Sequence, residues 1–328
     1  MSCFCLTVQR RGFPASASIS FTRYLVPASG PIYAGCASTY CSMLLPLMNR
    51  LLCFVTGAAF VGIALGAAPP EKMTTAVLVS RLSSAIDHLK TLRCTVRAQE
   101  RMEGGYQQAR TQMKIAYNPL RLYLRNQKGV EVLYTAGQND NEAFVYPNSF
   151  PYVTVSLDPN GTLMRRNQHH SIFQAGFGTI AGLLHGSPQR TDHSYERSFR
   201  YAGDTTVAGR PSYILRSDFP QFRYVTYKPA KAETIAQIAD KFGCGEYRIL
   251  ERNNLSYGAT VPAGKAVQVP NAYGRRTIVC VDQTTFLPLV VQVHDDKGLF
   301  EKFEFSEVVP NQPIAPAEFQ KGYKGYKI

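Results

Sequence analysis

The sequence predicts an α+β fold in which an antiparallel sheet is covered by helices and carries a small strand–helix–helix–strand insertion. Apolar and polar residues alternate over 120–125, which is typical of a half-buried strand. Apolar stripes at helical spacing occur over 72–90 and again over 172–184. A third pattern, at 224–270, packs two short helices between two short strands and predicts the insertion.

The N-terminal part of the chain is predicted to be absent from the working protein. Residues 1–47 have no helical period, so we interpret them as a disordered upstream extension that is not native, with translation expected to start at Met43 or Met48. Residues 48–66 combine a basic start, an apolar run and small residues, which is typical of a cleaved signal peptide. The apolar run is short for a membrane span. The mature chain is therefore expected to begin near Ala67, outside the cytoplasm.

Charge and cysteine content exclude some classes of protein. The formal net charge is +13, and four arginines within residues 1–66 carry four of these charges, so +9 remains. No basic run with interleaved aromatics concentrates this charge, so a nucleic-acid partner is not predicted. Five of the eight cysteines fall within residues 1–53. Of the others, Cys244 and Cys280 could pair in an oxidising compartment, or all three, including Cys94, could be buried as small apolar residues.

The first half of the large body begins with the helix at 72–90, where Val79, Leu82 and Ile86 share one face. Alternation and turn residues then predict strands at 92–100, 112–117, 120–125, 130–134, 143–146 and 152–156.

The second half begins with the helix at 172–184, where Gly176 and Gly178 disfavour the first turn. Further strands are predicted near residue 200 and at 212–216, 277–281, 287–294 and 299–305. Short turns join the last three, which indicates an antiparallel meander.

The insertion begins with a β-prone run at 224–227. Ile235, Ile238 and Phe242 then form one stripe of a helix, with Thr234 or Glu233 at its N-cap and Gly243 at its C-terminal end. A second helix is predicted at 246–252, and a strand follows at 267–270. Because both ends are β-prone, the insertion fits inside a hairpin of the larger sheet.

This insertion resembles the LysM module, a small glycan-binding domain. The resemblance is carried by Glu233-Thr234-Ile235, Ile238-Ala239, Phe242-Gly243, Leu250, Asn253, Val261-Pro262-Ala263-Gly264 and Val267-Gln268-Val269-Pro270. It implies a sugar groove formed by Ala232, Glu233, Thr234, Asn253 and Asn254. Ala232 replaces a glycine of the family and adds a methyl group to that groove. Capping and turn roles are the alternative explanation for the polar residues.

The remainder, 67–223 with 271–328, resembles the LolA-like lipoprotein-carrier superfamily, and more narrowly an uncharacterised bacterial family of unknown function within it. The resemblance is carried by 118–121, 129–134, 169–172, 175–178, Val281-Asp282, Leu287-Pro288, 296–303 and Glu318-Phe319. It implies a strongly curved half-barrel sheet covered by helices, with a groove for acyl chains. Candidate lining residues are Tyr123, Leu133, Phe144, Tyr146 and Leu289, although core packing is the favoured role for any single one of them.

No motif for catalysis is found, so we expect a protein that is not an enzyme and needs no cofactor. His185-Gly186 is not followed by the Ser-x-Gly-Cys of a transpeptidase. A zinc amidase needs three converging ligands. His169, His170, His185 and His193 are the only histidine cluster, and a helix start with a solvated loop explains them, so no metal site is predicted. Neither a nucleophile elbow nor a phosphate loop is present.

The predicted function is therefore binding in the periplasm. Lipid or lipoprotein acyl chains would be held by burial of apolar surface, about 0.8 kcal/mol per CH₂. The insertion would attach the protein to peptidoglycan or another N-acetylated glycan, or serve as a structural elaboration, and peripheral membrane contact is compatible with both. The alternative is a cell-wall-binding structural protein whose groove is filled and which has no lipid cargo.

Overall fold

The computed structural model describes residues 72–190 and 199–328, with the side chains of 185–190 left out. The extension at 1–47 and the signal peptide at 48–66 fall outside these residues. Within the described ranges, every helix is too short or too polar to cross a bilayer.

The body is built on one large antiparallel sheet. The strands are β1 (Thr91–Met102), β2 (Gly105–Ala116), β3 (Arg121–Asn126), β4 (Glu131–Thr135), β5 (Ala143–Tyr146), β6 (Val155–Leu157), β7 (Arg200–Val207), β8 (Arg210–Asp218), β9 (Tyr224–Tyr227), β10 (Glu233–Thr234), β11 (Thr260–Val261), β12 (Val267–Pro270), β13 (Arg276–Asp282), β14 (Pro288–Asp295) and β15 (Gly298–Pro310). Eleven of them form the sheet in the order β6-β5-β4-β3-β2-β1-β15-β14-β13-β8-β7. The predicted sheet and its final meander are thereby confirmed.

The helices are α1 (Thr75–Asp87), α2 (Thr162–Arg165), α3 (Gly178–Arg190), α4 (Ile235–Phe242) and α5 (Glu246–Asn253). The helix predicted at 172–184 is interrupted. A short 3-10 turn covers Ile172–Gln174, and α3 starts only at Gly178. Gly176 breaks the helix because its φ is +71°, and a Cβ there would lie 3.1 Å from atoms of Leu92 and Ile115.

Both faces of the sheet around β3, β4 and β5 are buried, because successive side chains of a strand point to opposite faces. On the first face, α1 and α3 cover a core that includes Leu78, Leu82, Leu122, Tyr134, Val145, Ile180 and Leu184. We call it the helix-covered face. On the second face, the C-terminal residues 314–328 cover a smaller core of Ala116, Tyr123, Leu133, Tyr146, Ile314, Phe319 and Ile328. We call it the tail-covered face.

Residues 219–275 leave and re-enter the sheet through adjacent strands. β8 and β13 pair antiparallel, with Asp218 opposite Arg276. The segment between them contains the predicted strand–helix–helix–strand order, with β9 paired to β12. A short ribbon of β10 and β11, which the pattern did not predict, adds to it. The segment has its own core of Ile235, Ile238, Ala239, Ile249, Leu250, Val261, Val267 and Val269.

Candidate functional site

A cavity of about 370 Å³ lies between the helix-covered face and residues 166–180, which we call the roof. Its floor comes from β1, β2, β3, β14 and β15. The roof stands close to the floor at Gly176, where an added Cβ would crowd the side chains beneath it.

The floor of the cavity changes from apolar to polar along the strands. Val96 lies opposite Phe305 and Ala98 opposite Phe303, but two residues further along Glu100 lies opposite Glu301. The lining residues of β2 show the same change from apolar to polar, from Met113 through Ala109 to Gln107. Lys128 and Arg166, both exposed, also line the cavity. The cavity is therefore amphipathic, which suits a ligand with an apolar chain and a polar end.

The five residues predicted to line a groove lie elsewhere. Tyr123, Leu133 and Tyr146 belong to the tail-covered core, and Phe144 packs against it. Leu289 is buried on β14 and is not part of the lining. The lining is therefore formed by other residues. Alternation identifies two sets of side chains on a strand, but it does not say which set faces the helices.

The residues predicted to form a sugar groove have partners within the insertion. The carboxylate of Glu233 accepts hydrogen bonds from Tyr227 at 2.9 Å and from the Lys241 Nζ at 2.8 Å. Thr234 caps α4, its hydroxyl accepting from the Gln237 amide at 3.2 Å.

The two asparagines and Ala232 complete that set. The side chain of Asn253 joins α5 to β12 through hydrogen bonds with Ile249 and both backbone groups of Gln268. Asn254 ends α5 in the left-handed conformation, and Ala232 is exposed. These contacts match the capping explanation, and glycan binding stays a prediction.

A second cavity, of about 410 Å³, lies beside the loop that follows α5. Asn254, Ser256, Tyr247 and Tyr257 line it from the insertion. Of the predicted sugar-groove residues, only Asn254 is among them.

A cluster of two histidines and two glutamates lies where the roof meets the polar end of the first cavity. The Nδ1 of His169 is 2.9 Å from the Glu301 Oε2, and the Nε2 of His170 is 3.0 Å from the same oxygen. Glu100 Oε1 lies 3.9 Å from the Nδ1 of His169. The side chain of Glu301 is fully buried and that of His169 is 2% exposed.

The remaining polar atoms of the cluster have their own partners. The Nε2–H of His169 donates to the Arg101 carbonyl at 2.8 Å, and the Tyr273 hydroxyl donates to the Glu301 Oε1 at 2.6 Å. The Nδ1 of His170 lies 3.3 Å from both the Gln174 amide oxygen and the Thr179 hydroxyl.

These contacts shift the pKa values of the buried groups. Burial lowers the pKa of His170, but the charge of Glu301 and its hydrogen bond outweigh burial and raise that pKa above its usual value. Burial raises the pKa of Glu301, but the charge of His170 and the histidine hydrogen bonds hold it well below its usual range. Burial and the nearby Glu301 raise the pKa of Tyr273 well above its usual value.

The insertion packs directly on this cluster. The ring of Tyr247 stacks on His169 with centroids 4.6 Å apart, and the ring of Phe300 stacks on the same imidazole with centroids 4.1 Å apart. Tyr257 donates to the Gln168 carbonyl at 2.7 Å. The insertion therefore holds the start of the roof in place.

His169 and His170 directly precede Ser171, which caps the 3-10 turn, as a helix start predicts, but their imidazoles are withdrawn from solvent into the cluster. His185 and His193 lie outside the described side chains. Sequence reasoning missed Glu100 and Glu301, which are far from the histidines along the chain. A signal was present in the alternation of the strands. Glu100 falls on the same strand face as Val96 and Ala98, and Glu301 falls on the same face as Phe303 and Phe305, so each places a carboxylate on an otherwise apolar face.

One protein-family model matches part of this chain. Residues 89–235 match the model of a family described as a protein of unknown function (DUF1571). This match agrees with the predicted family of unknown function, and the LysM resemblance stays a prediction. Among the curated proteins, none matches this sequence.

Several solved structures are similar at low identity. MucB of Pseudomonas aeruginosa in complex with MucA is 16% identical over 76% of this chain and 61% of that chain, with a TM-score of 0.37. The lipoprotein LppX of Mycobacterium tuberculosis is 11% identical over 74% and 97%, with a TM-score of 0.35. LprF of Mycobacterium bovis is 10% identical over 76% and 97%, with a TM-score of 0.34. The chain spans about three fifths of the MucB chain that it matches.

Proposed function

We propose that this chain is a non-catalytic binding protein that holds the apolar chain of a lipid or an acylated protein in the cavity beneath the roof. The observation that carries the proposal is the amphipathic lining of the cavity. Val96, Phe305 and Met113 contribute apolar groups to this lining, and Glu100, Lys128 and Arg166 contribute charged groups.

The size of the cavity supports a ligand of this kind. Its volume of about 370 Å³ falls in the usual range of small-molecule sites. Burial of about ten methylenes would contribute about 8 kcal/mol before the costs of association. This is enough for selective retention of one acyl chain without covalent chemistry.

The polar end supports an amphipathic ligand rather than a plain hydrocarbon. Lys128 and Arg166 line the cavity and are exposed, so they lie at its opening to solvent. A phosphate or carboxylate at the head of the ligand would meet two positive charges at this opening.

We propose that the protein acts outside the cytoplasm, in the periplasm. The support is the signal-peptide pattern of 48–66. A lipid carried there would pass between membranes without exposure of its chain to water.

The test is mass spectrometry of organic extracts from protein purified without detergent. Wild type is expected to release a phospholipid or an acylated peptide on heating. Ala98→Trp fills the cavity from the middle of its floor and should reduce this yield by about tenfold or more, since overpacking costs about 1–3 kcal/mol.

Arg97→Trp is the matched control, because Arg97 is exposed and points to the other face of the same strand. It should leave the yield unchanged. A wild-type extract free of lipid would refute the carrier proposal and favour a structural protein with no cargo.

A second candidate is glycan binding by the insertion, which the second cavity favours. Two tyrosine rings and the amide of Asn254 line it, and such groups suit a sugar face with its hydroxyl groups. Asn254→Gly removes the side chain while keeping the left-handed conformation, so it should weaken pelleting with peptidoglycan without unfolding α5.

Asn141→Gly, at another left-handed asparagine far along the chain, serves as its control. Equal pelleting of both variants and wild type would exclude this cavity as a glycan site. Asn253 is unsuitable for the test, because its replacement would remove structural hydrogen bonds.

A further inference from the structure

We infer that Glu100, His169, His170 and Glu301 form a binding site for one divalent transition-metal ion, which fixes the roof to the sheet. One ligand atom from each of the four residues lies within 4.8 Å of all the others. The site is separate from the apolar lining of the cavity, and the inference does not depend on the proposed cargo.

The distances suit a small ion with four ligands. Bonds of about 2.0–2.1 Å in a tetrahedral zinc site place neighbouring ligand atoms about 3.4 Å apart. The two contacts of the Glu301 Oε2 with the imidazoles are 2.9 and 3.0 Å, and the contact from His169 to Glu100 is 3.9 Å. Shifts of about half an ångström would bring these three of the six distances to the tetrahedral value, and the other three start from at most 4.8 Å.

On three of the four ligands, the second polar atom of the side chain already has a hydrogen-bond partner, so the other atom is available to the ion. The Nε2 of His169 is engaged by a backbone carbonyl, which leaves Nδ1 to bind an ion. On Glu301, the hydroxyl of Tyr273 occupies Oε1 and leaves Oε2. On His170, the Nδ1 faces Gln174 and Thr179, which leaves Nε2. Such outer contacts are what orient metal ligands in proteins.

The charge of the cluster also suits a divalent cation. The two buried carboxylates have the imidazoles of His169 and His170 as partners, and a divalent cation would balance both negative charges. Among the described residues, neither Glu100 nor Glu301 has a salt bridge to a lysine or an arginine. The nearby Arg101 is instead paired with Asp295 and Glu251, and the charge of Arg248 also acts on Asp295.

The donor set selects the class of ion. Imidazole nitrogens with carboxylate oxygens suit zinc and other first-row transition metals, whereas calcium and magnesium prefer oxygen ligands alone. Four protein ligands close the coordination shell, so the ion would have a structural role. It would connect the roof, through both histidines, to β1 at Glu100 and to β15 at Glu301.

The experiment is a titration of the full-length protein, treated with a chelator and dialysed, with Zn²⁺ by calorimetry and with Co²⁺ by visible absorption. We expect one equivalent of Zn²⁺ to bind and to raise Tm. Co²⁺ should give the visible absorption bands of a four-coordinate site.

His170→Ala and Glu100→Gln each remove a ligand and should weaken binding by more than about 100-fold. Tyr273→Phe keeps all four ligands and should weaken it by about 10–100-fold, as losses in the outer shell do. His88→Gln, at an exposed histidine of the end of α1, should bind like wild type.

Absence of stoichiometric binding by the wild type would overturn the inference, and the cluster would then be a closed network of hydrogen-bonded ion pairs. A Co²⁺ spectrum that is the same in His170→Ala as in the wild type would also overturn it. Because Tyr273→Phe removes only one hydroxyl, it provides a test even where a ligand variant fails to fold.

Discussion

Strands β3, β4 and β5 bury both of their faces, but the segments that cover them do so differently. On the tail-covered face, the ring of Tyr326 stacks on Tyr123 with centroids 3.6 Å apart. Phe319 and Ile314 fill the rest of that surface. On the helix-covered face, the roof leaves a cavity of about 370 Å³.

The tail is also held by charge. Both carboxylate oxygens of Glu318 accept from the Arg93 guanidinium, at 2.8 and 3.0 Å, and Lys114 donates at 2.7 Å. The roof is held at its start by the histidine–glutamate cluster and the tyrosines of the insertion. Burial alone therefore does not distinguish a filled core from a ligand site in this protein. The difference is whether the segment that covers the sheet fills the space against it or leaves a cavity.

The largest expected effect is the loss of stability when a phenylalanine on each of the two faces is truncated to alanine. Phe319→Ala should lower the free energy of unfolding by about 3–5 kcal/mol, because it opens a new cavity in a filled core. Phe303→Ala, on the cavity floor, should cost about half as much, because that ring already borders open space.

Urea unfolding of lipid-free protein measures both values. Equal losses at the two positions would mean that the helix-covered face is as tightly packed as the tail-covered face.

An intermediate effect is expected from the charge that holds the tail. Hydrogen bonds from Arg93, followed by those from Lys114, lower the pKa of Glu318 to about 2. Glu318→Gln should therefore cost about 2–3 kcal/mol near neutral pH.

The difference between wild type and Glu318→Gln should depend on pH. A carboxyl whose pKa is lowered on folding stabilises the protein above its unfolded pKa of about 4.3, and this contribution is lost as the pH falls toward 2. Unfolding measured from pH 7 to pH 2 should show the two curves converging only in acid. Glu103→Gln, at an exposed position, should show no such convergence.

The smallest expected effect concerns the roof. Gly176→Ala should cost about 1–2 kcal/mol, because alanine disfavours positive φ and its methyl would press on Leu92 and Ile115. Gly182→Ala, inside α3 with open space around it, should instead stabilise by up to about 1 kcal/mol.

Thermal unfolding of the two variants provides the measurement. A loss of stability in Gly182→Ala as large as that in Gly176→Ala would show that close contact between roof and floor is not what requires glycine.

The sequence predicts most elements of this fold because their periodicity is local. Residues 120–125 become β3, and the stripe of Ile235, Ile238 and Phe242 becomes α4. The features that the sequence does not predict depend on contacts between residues that are far apart along the chain. The face of Tyr123 is decided by a tail about 200 residues later, and His169 meets Glu301 across 132 residues.

The helix break at Gly176 has the same origin. The two glycines indicate a weak first turn, but only the approach of Leu92 and Ile115 explains why the chain must bend at that residue. Local patterns thus specify the strands and helices, while the cavity and the cluster arise from their assembly.

The insertion could be removed without changing the topology of the sheet, but its removal would disturb the packing around His169. Its two ends meet at paired residues of neighbouring strands, Asp218 and Arg276, about 5 Å apart. A tight turn could therefore replace residues 219–275 and leave the hairpin in register. The shortened protein would, however, expose the ring of His169 that Tyr247 now covers, so removal of the insertion would keep the hairpin but destabilise the histidine–glutamate cluster.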